Sequence, residues 1–283
     1  MSSSVRLVWS EWIPLREMGT FPAKPGLYRV RRVGFDGVDY IGQTGTTLRI
    51  RLGMLRGVFA DVMPYRDPHT AAPALWALRH SLGCDFEAST TVVEDSTPRR
   101  KGLEAAAIAS YRQERSRSPT ANFGRMPDGY RMSTHNNRRL VERGRRFRGG
   151  PSESMETSHA IGVAPVGALD GDELGPGWCG HAWTDWTPID GALVPRGAEG
   201  LYRIRADSLL YIGEGRILPR LRAHLAKTRK PGRQGEIFGD PSRLLCSYVV
   251  GDWLSHQREE LETDLIGAYV LSTGSPPGAQ YFG

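Results

Sequence analysis

From Trp9 the chain reads Trp-Ser-Glu-Trp-Ile-Pro, and 174 positions later, from Trp183, it reads Trp-Thr-Asp-Trp-Thr-Pro. At the same offset Gly26-Leu27-Tyr28-Arg29-Val30 falls on Gly200-Leu201-Tyr202-Arg203-Ile204, so seven of the 22 residues from 9 to 30 are identical without a gap. Tyr40-Ile41-Gly42 then meets Tyr211-Ile212-Gly213 at an offset of 171. Leu103-Glu104 meets Leu261-Glu262 at 158, which also carries Ile108 onto Ile266, Tyr111 onto Tyr269 and Asn122 onto Gln280. The offset only shrinks, so the second copy is the same unit with shorter loops. A repeat of this kind constrains architecture more than composition does, because the chain has to build one small fold twice.

The 283 residues exceed the roughly 100–200 of a single domain, and a 39% apolar share is enough for two small cores. The repeat sets the expected division: a first domain over 1–125, a connecting segment over 126–180, and a second domain over 181–283. The connection begins with six arginines among the eleven residues from Arg138 to Arg148, followed by Gly149-Gly150-Pro151-Ser152 and a run rich in Gly, Pro, Ala and Asp to about Gly180. It reads as a basic segment and then a flexible linker. Arg138, Arg139, Arg145 and Arg146 are candidates for phosphate contact, and a solvated surface is the alternative. A net charge of +6 favours an anionic partner, DNA first. No stretch approaches the roughly 20 apolar residues of a membrane span, and MSSSVRLVWSEW has no apolar signal-peptide core. Cys84, Cys179 and Cys246 are far apart, which argues against a disulfide framework or a zinc site. These features together point to the cytoplasm.

Gly26 to Arg32 and Asp39 to Ile41 read as two strands, with Phe35-Asp36-Gly37 as the turn between them. A helix follows, capped by Thr46 or Thr47, with Leu48, Leu52 and Leu55 on one stripe. The second copy places Ile217, Leu221 and His224 at the same spacing and sets Arg220 on Arg51, at the margin of the packed face. A later helix begins at Ser96-Thr97-Pro98. It carries Glu104, Ile108 and Tyr111 on one stripe, repeated as Glu262, Ile266 and Tyr269. A carboxylate on the apolar side of a helix is costly unless it is bonded, paired or holding a metal. Two in equivalent places imply that the repeated unit needs the acid.

These residues resemble the GIY-YIG nuclease family. The paired motif stands here as Gly26-Leu27-Tyr28 with Tyr40-Ile41-Gly42, and again as Gly200-Leu201-Tyr202 with Tyr211-Ile212-Gly213. An arginine on the next helix and a glutamate on a later one complete the pattern, in order, twice. The likeness covers about 26–124 and 200–283 and leaves out the Trp-x-x-Trp-x-Pro leaders and the connection. It implies an α+β fold of two tandem domains, each a three-stranded antiparallel sheet flanked by helices. It implies phosphodiester hydrolysis with one divalent ion, magnesium or manganese, on Glu104 and on Glu262. Arg51 and Arg220 would grip phosphate with an always-charged fork, and Tyr28, Tyr40, Tyr202 and Tyr211 would line the sites, one of each pair relaying a proton. A histidine or tyrosine expected four residues after the arginine is His224 in the second copy but Leu55 in the first. A common terminal asparagine is Asn122 in the first copy and Gln280 in the second, both taken as nucleic-acid contacts. The position after Tyr-Ile-Gly, commonly basic, is Gln43 or Glu214. The leaders read as a strand or turn packing on each sheet, or as aromatic platforms for bases.

Two sites in one chain could act as a covalent pseudo-dimer on both strands of a duplex, with no further oligomer required. The alternatives are a nucleic-acid-binding tandem that has lost cleavage, and an enzyme of another class using the same Tyr/Arg/Glu set. DNA and RNA are not separated by these residues.

Overall fold

The computed structural model describes residues 7–64, 69–127, 130 and 161–282. Arg138, Arg139, Arg145 and Arg146 lie outside the described residues. By contact the chain forms two compact units. One holds the described residues up to 95 and those from 118 to 161; the other holds 96–117 and 162–282. We call them the N-terminal and C-terminal units.

The N-terminal unit runs β1 (Ile13–Pro14), β2 (Gly26–Arg32), β3 (Tyr40–Thr44), α1 (Leu48–Gly53), α2 (Ala72–Leu82) and β4 (Phe86–Val92). The C-terminal unit contains α3 (Thr97–Arg115), β5 (Thr187–Pro188), β6 (Glu199–Arg205), β7 (Leu209–Arg216), α4 (Ile217–Lys227), α5 (Arg233–Phe238), β8 (Leu245–Val250) and α6 (Ser255–Thr273). The repeat assigns α3 to the first copy, whereas its contacts group it with the second. Both sheets are antiparallel, in the orders β1-β4-β2-β3 and β5-β8-β6-β7. The chain is therefore α+β, as expected, but each sheet has four strands rather than three.

The fourth strand comes from the tryptophan leader. Ile13 pairs with Ala88 and Thr187 with Cys246, so the leader extends the sheet edge. Its tryptophans hold it there. The Arg29 guanidinium lies 4.8 Å and 4.6 Å from the ring centroids of Trp9 and Trp12, and that of Arg203 lies 4.2 Å and 4.6 Å from Trp183 and Trp186. Each such contact contributes about 0.5–2 kcal/mol, more where water is excluded. Arg203 is fully buried, and its remaining N–H groups donate to the carbonyls of Glu173 at 2.6 Å and Gly175 at 2.8 Å. The stretch from 162 to 180, expected as linker, is therefore built into the C-terminal unit.

Local sequence sets the helices. Thr47 caps α1 by accepting from the Ile50 N–H, and Ser96 caps α3 by accepting from Arg99. Leu48, Leu52 and Leu55 are fully buried under the first sheet, as are Ile217 and Leu221 under the second. Among the described residues no helix is long and apolar enough to cross a membrane.

Helices α3 and α6, the repeat mates, pack on each other. A Cβ on Gly267 would overlap Ala109, its own mate at the 158 offset. Gly102 lies against Val270, while their mates Glu260 and Arg112 form an ion pair at 3.5 Å. Equivalent residues meeting one another is the signature of a two-fold contact. Here it is broken on one side by charge. Arg112, fully buried, also donates to both carboxylate oxygens of Asp264 at 2.7 Å and 2.9 Å and to the Val163 carbonyl at 2.9 Å. Removing the guanidinium strands two acids in the interior. We expect Arg112→Ala to cost about 3–5 kcal/mol, measured as a lower urea midpoint. Replacing Arg112, Glu260 and Asp264 together with apolar residues is expected to recover most of that loss; no difference between wild type and Arg112→Ala would contradict the reading.

Candidate active site

The motif glycines are required by steric proximity. A side chain on Gly26 would overlap the Thr91 carbonyl oxygen, and one on Gly200 the Val249 carbonyl oxygen. Each lies at the start of its central strand, at a point where the neighbouring backbone leaves no space. A Cβ on Gly42 would stand 2.6 Å from the Tyr28 hydroxyl, and one on Gly213 would overlap the Tyr202 ring. Register explains this, since Tyr28 pairs with Gly42 and Tyr202 with Gly213. The two halves of the motif are thus one contact, in which the tyrosine of one strand fills the space left by the glycine of the next.

In the N-terminal unit Tyr28 and Tyr40 have ring centroids 6.0 Å apart. The third ring is His69, 5.7 Å from Tyr28 and 5.3 Å from Tyr40. His69 is fully buried, and its Nε2 lies 2.7 Å from the Tyr28 hydroxyl. Arg51 on α1 donates from Nε to the same hydroxyl at 3.3 Å.

The C-terminal unit repeats the arrangement. Tyr202 and Tyr211 lie 6.1 Å apart, and His224 lies 5.8 Å from the first and 4.3 Å from the second. His224 Nε2 is 3.0 Å from the Tyr202 hydroxyl. Burial, with the charges of Lys227 and Arg220, pushes the His224 imidazole down to about 4, so it is neutral at ordinary pH. Burial also holds both tyrosines above their usual value, Tyr211 at about 12, while Arg220 pulls each back. The two imidazoles occupy the same place relative to their tyrosine pairs but arrive by different routes. His224 comes from the helix after the motif. His69 comes from the insertion that follows the corresponding helix in the first copy, where Leu55 occupies the helix position and is buried in the core.

Glu262 on α6 is half-buried in the wall of a cleft of about 440 Å³ whose lining includes Lys101, Tyr211, Lys227, Gln280 and Tyr281. Among the described residues its carboxyl has neither a hydrogen bond nor an ion pair. Burial, and then the nearby charges of Glu214 and Glu259, push it up to about 8, against the pull of Arg220. Arg220 is exposed, has no hydrogen bond or ion pair among the described residues, and reaches both tyrosines and Glu262 electrostatically. Glu214 is held by Arg258 at 3.0 Å. No cluster of three or more metal-ligating His, Cys, Asp or Glu side chains occurs among the described residues. A single unpaired carboxylate on an open cleft fits an ion that keeps most of its water, as magnesium does; a dication would restore the ionised acid.

The sequence-derived candidates thus fall out as follows. Tyr202, Tyr211, Arg220, His224 and Glu262 come together in the C-terminal unit. Tyr28, Tyr40 and Arg51 come together in the N-terminal unit, with His69 added. Glu104 sits half-buried on α3 in the C-terminal unit, where its charge acts on the Tyr281 hydroxyl. Asn122 and Gln280, expected as nucleic-acid contacts, are bonded to backbone within their own units. Asn122 is buried, accepts the Ile41 N–H at 2.9 Å and donates to the Ile41 carbonyl at 3.0 Å. Gln280 makes the same pair of bonds to Ile212 at 3.0 Å and 3.1 Å. Each amide clamps the middle residue of Tyr-Ile-Gly and covers an edge strand that would otherwise offer open backbone groups. The missed residue is His69. Its only trace in the sequence is a lone histidine in the inserted segment of the copy whose helix lacks one.

No family model, curated protein or solved structure matches this chain.

Gly42→Ala and Gly213→Ala each put a methyl group where a tyrosine ring stands. We expect each to destabilise its unit by about 1–3 kcal/mol and to change the near-ultraviolet circular dichroism. Gly53→Ala, at a helical φ of −59 with open space around it, is expected to leave both unchanged. Equal melting temperatures across the three variants would refute the contact.

Proposed function

We propose that the chain is a metal-dependent endonuclease of the GIY-YIG type, hydrolysing phosphodiester bonds in DNA, with one site for each copy of the repeat. The observation that carries this reading is the doubled triangle of two tyrosines and an imidazole beside a helix arginine. In the C-terminal unit it is joined by an unpaired carboxyl on a cleft. Phosphodiester hydrolysis needs positioned charge for the phosphoryl oxygens, an acceptor for the proton of the attacking water and a route for the leaving oxygen. Arg220 is exposed and uncommitted among the described residues, which suits it to bind a non-bridging phosphate oxygen pair. Tyr202 and His224 form the proton-handling couple, and the half-buried Tyr211 faces the cleft. The water oxygen bonds to phosphorus while its proton passes to the tyrosine–histidine couple, and the leaving oxygen departs with the electron pair of the broken P–O bond. When bound at Glu262, a divalent ion supplies Lewis-acid polarisation of the phosphoryl group. On the repeat, Glu104 is the sequence counterpart of Glu262.

Purified protein with magnesium and supercoiled plasmid tests this. Wild type is expected to give linear product. Glu262→Ala and Glu104→Ala are each expected to stop at nicked circles, with the second cut slowed at least ~100-fold. Linear product at the wild-type rate from either variant would contradict the two-site account. Metal-independent binding with a steep salt dependence and no cleavage would assign the chain instead to the nucleic-acid-binding class.

A further inference from the structure

The two units place an imidazole on the same tyrosine oxygen, but only one of the imidazoles has its proton position set. His69 Nδ1 lies 3.2 Å from the Ala71 backbone N–H and accepts from it. A nitrogen that accepts carries no proton, so the imidazole is neutral and its proton sits on Nε2. That nitrogen is 2.7 Å from the Tyr28 oxygen, which therefore receives the bond. Arg51 Nε–H points at the same oxygen from α1 at 3.3 Å. Two donors, one of them charged, converge on one phenolic oxygen. Hydrogen bonds to the ionised form of an acid favour that form. In the C-terminal unit Arg220 makes no such bond to Tyr202, and His224 Nδ1 has no partner among the described residues.

We propose that His69, delivered by the insertion of the first copy, is a positioning residue: its Nε2–H, together with Arg51, holds the Tyr28 oxygen as a proton acceptor in the N-terminal site. The inference rests on the nuclease reading only for what the acceptor is used for, which is taking the proton of the attacking water. Within this unit the Tyr28 ring also faces that of Tyr40 on β3, with centroids 6.0 Å apart. The sign follows from the donors. They stabilise the phenolate, so removing one moves the ionisation of Tyr28 to higher pH.

The test reads that ionisation directly on the full chain, by phenolate absorbance in a pH titration, with Tyr28→Phe subtracted to isolate Tyr28. Wild type is expected to ionise at or below the ordinary tyrosine value of about 10. His69→Gln, whose amide N–H reaches the same oxygen, is expected to titrate like wild type, and His69→Leu about one pH unit or more higher. Should His69→Leu fail to fold, His69→Asn, whose shorter amide stops short of Tyr28, takes its place. Imidazole nitrogen NMR of the wild type independently reports which ring nitrogen carries the proton. An unmoved titration in the leucine or asparagine variant overturns the proposal. So does the absence of Tyr28 ionisation before the folded protein is lost, and so does a His69 proton on Nδ1. No cleavage is read, so failure here leaves the nuclease reading standing. A protein that titrates as expected yet cuts nothing defeats that reading alone.

Discussion

The Tyr28 ring occupies the space in which a side chain on Gly42 would stand, and Tyr202 does the same over Gly213. Most of the candidate site in each unit hangs on that contact. It brings the two tyrosines of neighbouring strands to about the same separation in both units, 6.0 Å and 6.1 Å. The glycine at the start of each central strand serves the same end, by letting the flanking strand approach. Tail residues fix the remaining degree of freedom. Asn122 and Gln280 pin the isoleucine between tyrosine and glycine through both of its backbone groups. At a buried position each such bond is worth about 1 kcal/mol, and leaving it unmade costs more.

Given that frame, the site tolerates different suppliers for the same chemical group. His224 reaches Tyr202 from α4; His69 reaches Tyr28 from an insertion that has no counterpart in the second copy. The environments nonetheless differ. Tyr202 and Tyr211 are held neutral by burial near an acid; the charge of Arg220 opposes this at both, and at Tyr211 so does a hydrogen bond with Tyr202. Tyr28 has a donor bonded on each side. The two sites therefore share a geometry without sharing a protonation scheme.

Much of the fold was legible in the sequence, for local reasons. The hairpin of β2 and β3, the Thr47 and Ser96 caps and the leucine stripe of α1 follow from turn chemistry, capping and helical period. The tyrosines, arginines and Glu262 were legible because the repeat displayed them twice, and His224 because it stands four residues after Arg220. The rest depended on tertiary pairing. The leader became a fourth strand because arginines on the central strand stack on its tryptophans, a pairing across a gap of some twenty residues that no local pattern reveals. The 162–180 stretch has the composition of a linker, but its carbonyls cap a buried Arg203. Asn122 and Gln280 have polar side chains suited to a ligand, yet they bond to backbone. His69 escaped notice because equivalence was sought by position along the chain, while the fold satisfies it in space.

The account stands or falls on Glu262 as the acid that holds a cation beside the tyrosines and Arg220. Crystals of the full chain soaked in manganese and measured at the metal's absorption edge test this most directly. The account predicts an anomalous peak within coordinating distance of the Glu262 carboxylate, on the cleft side facing Tyr211. A manganese-soaked crystal with no peak there, or with its peak elsewhere while Glu262 remains protonated and unbound, would contradict it.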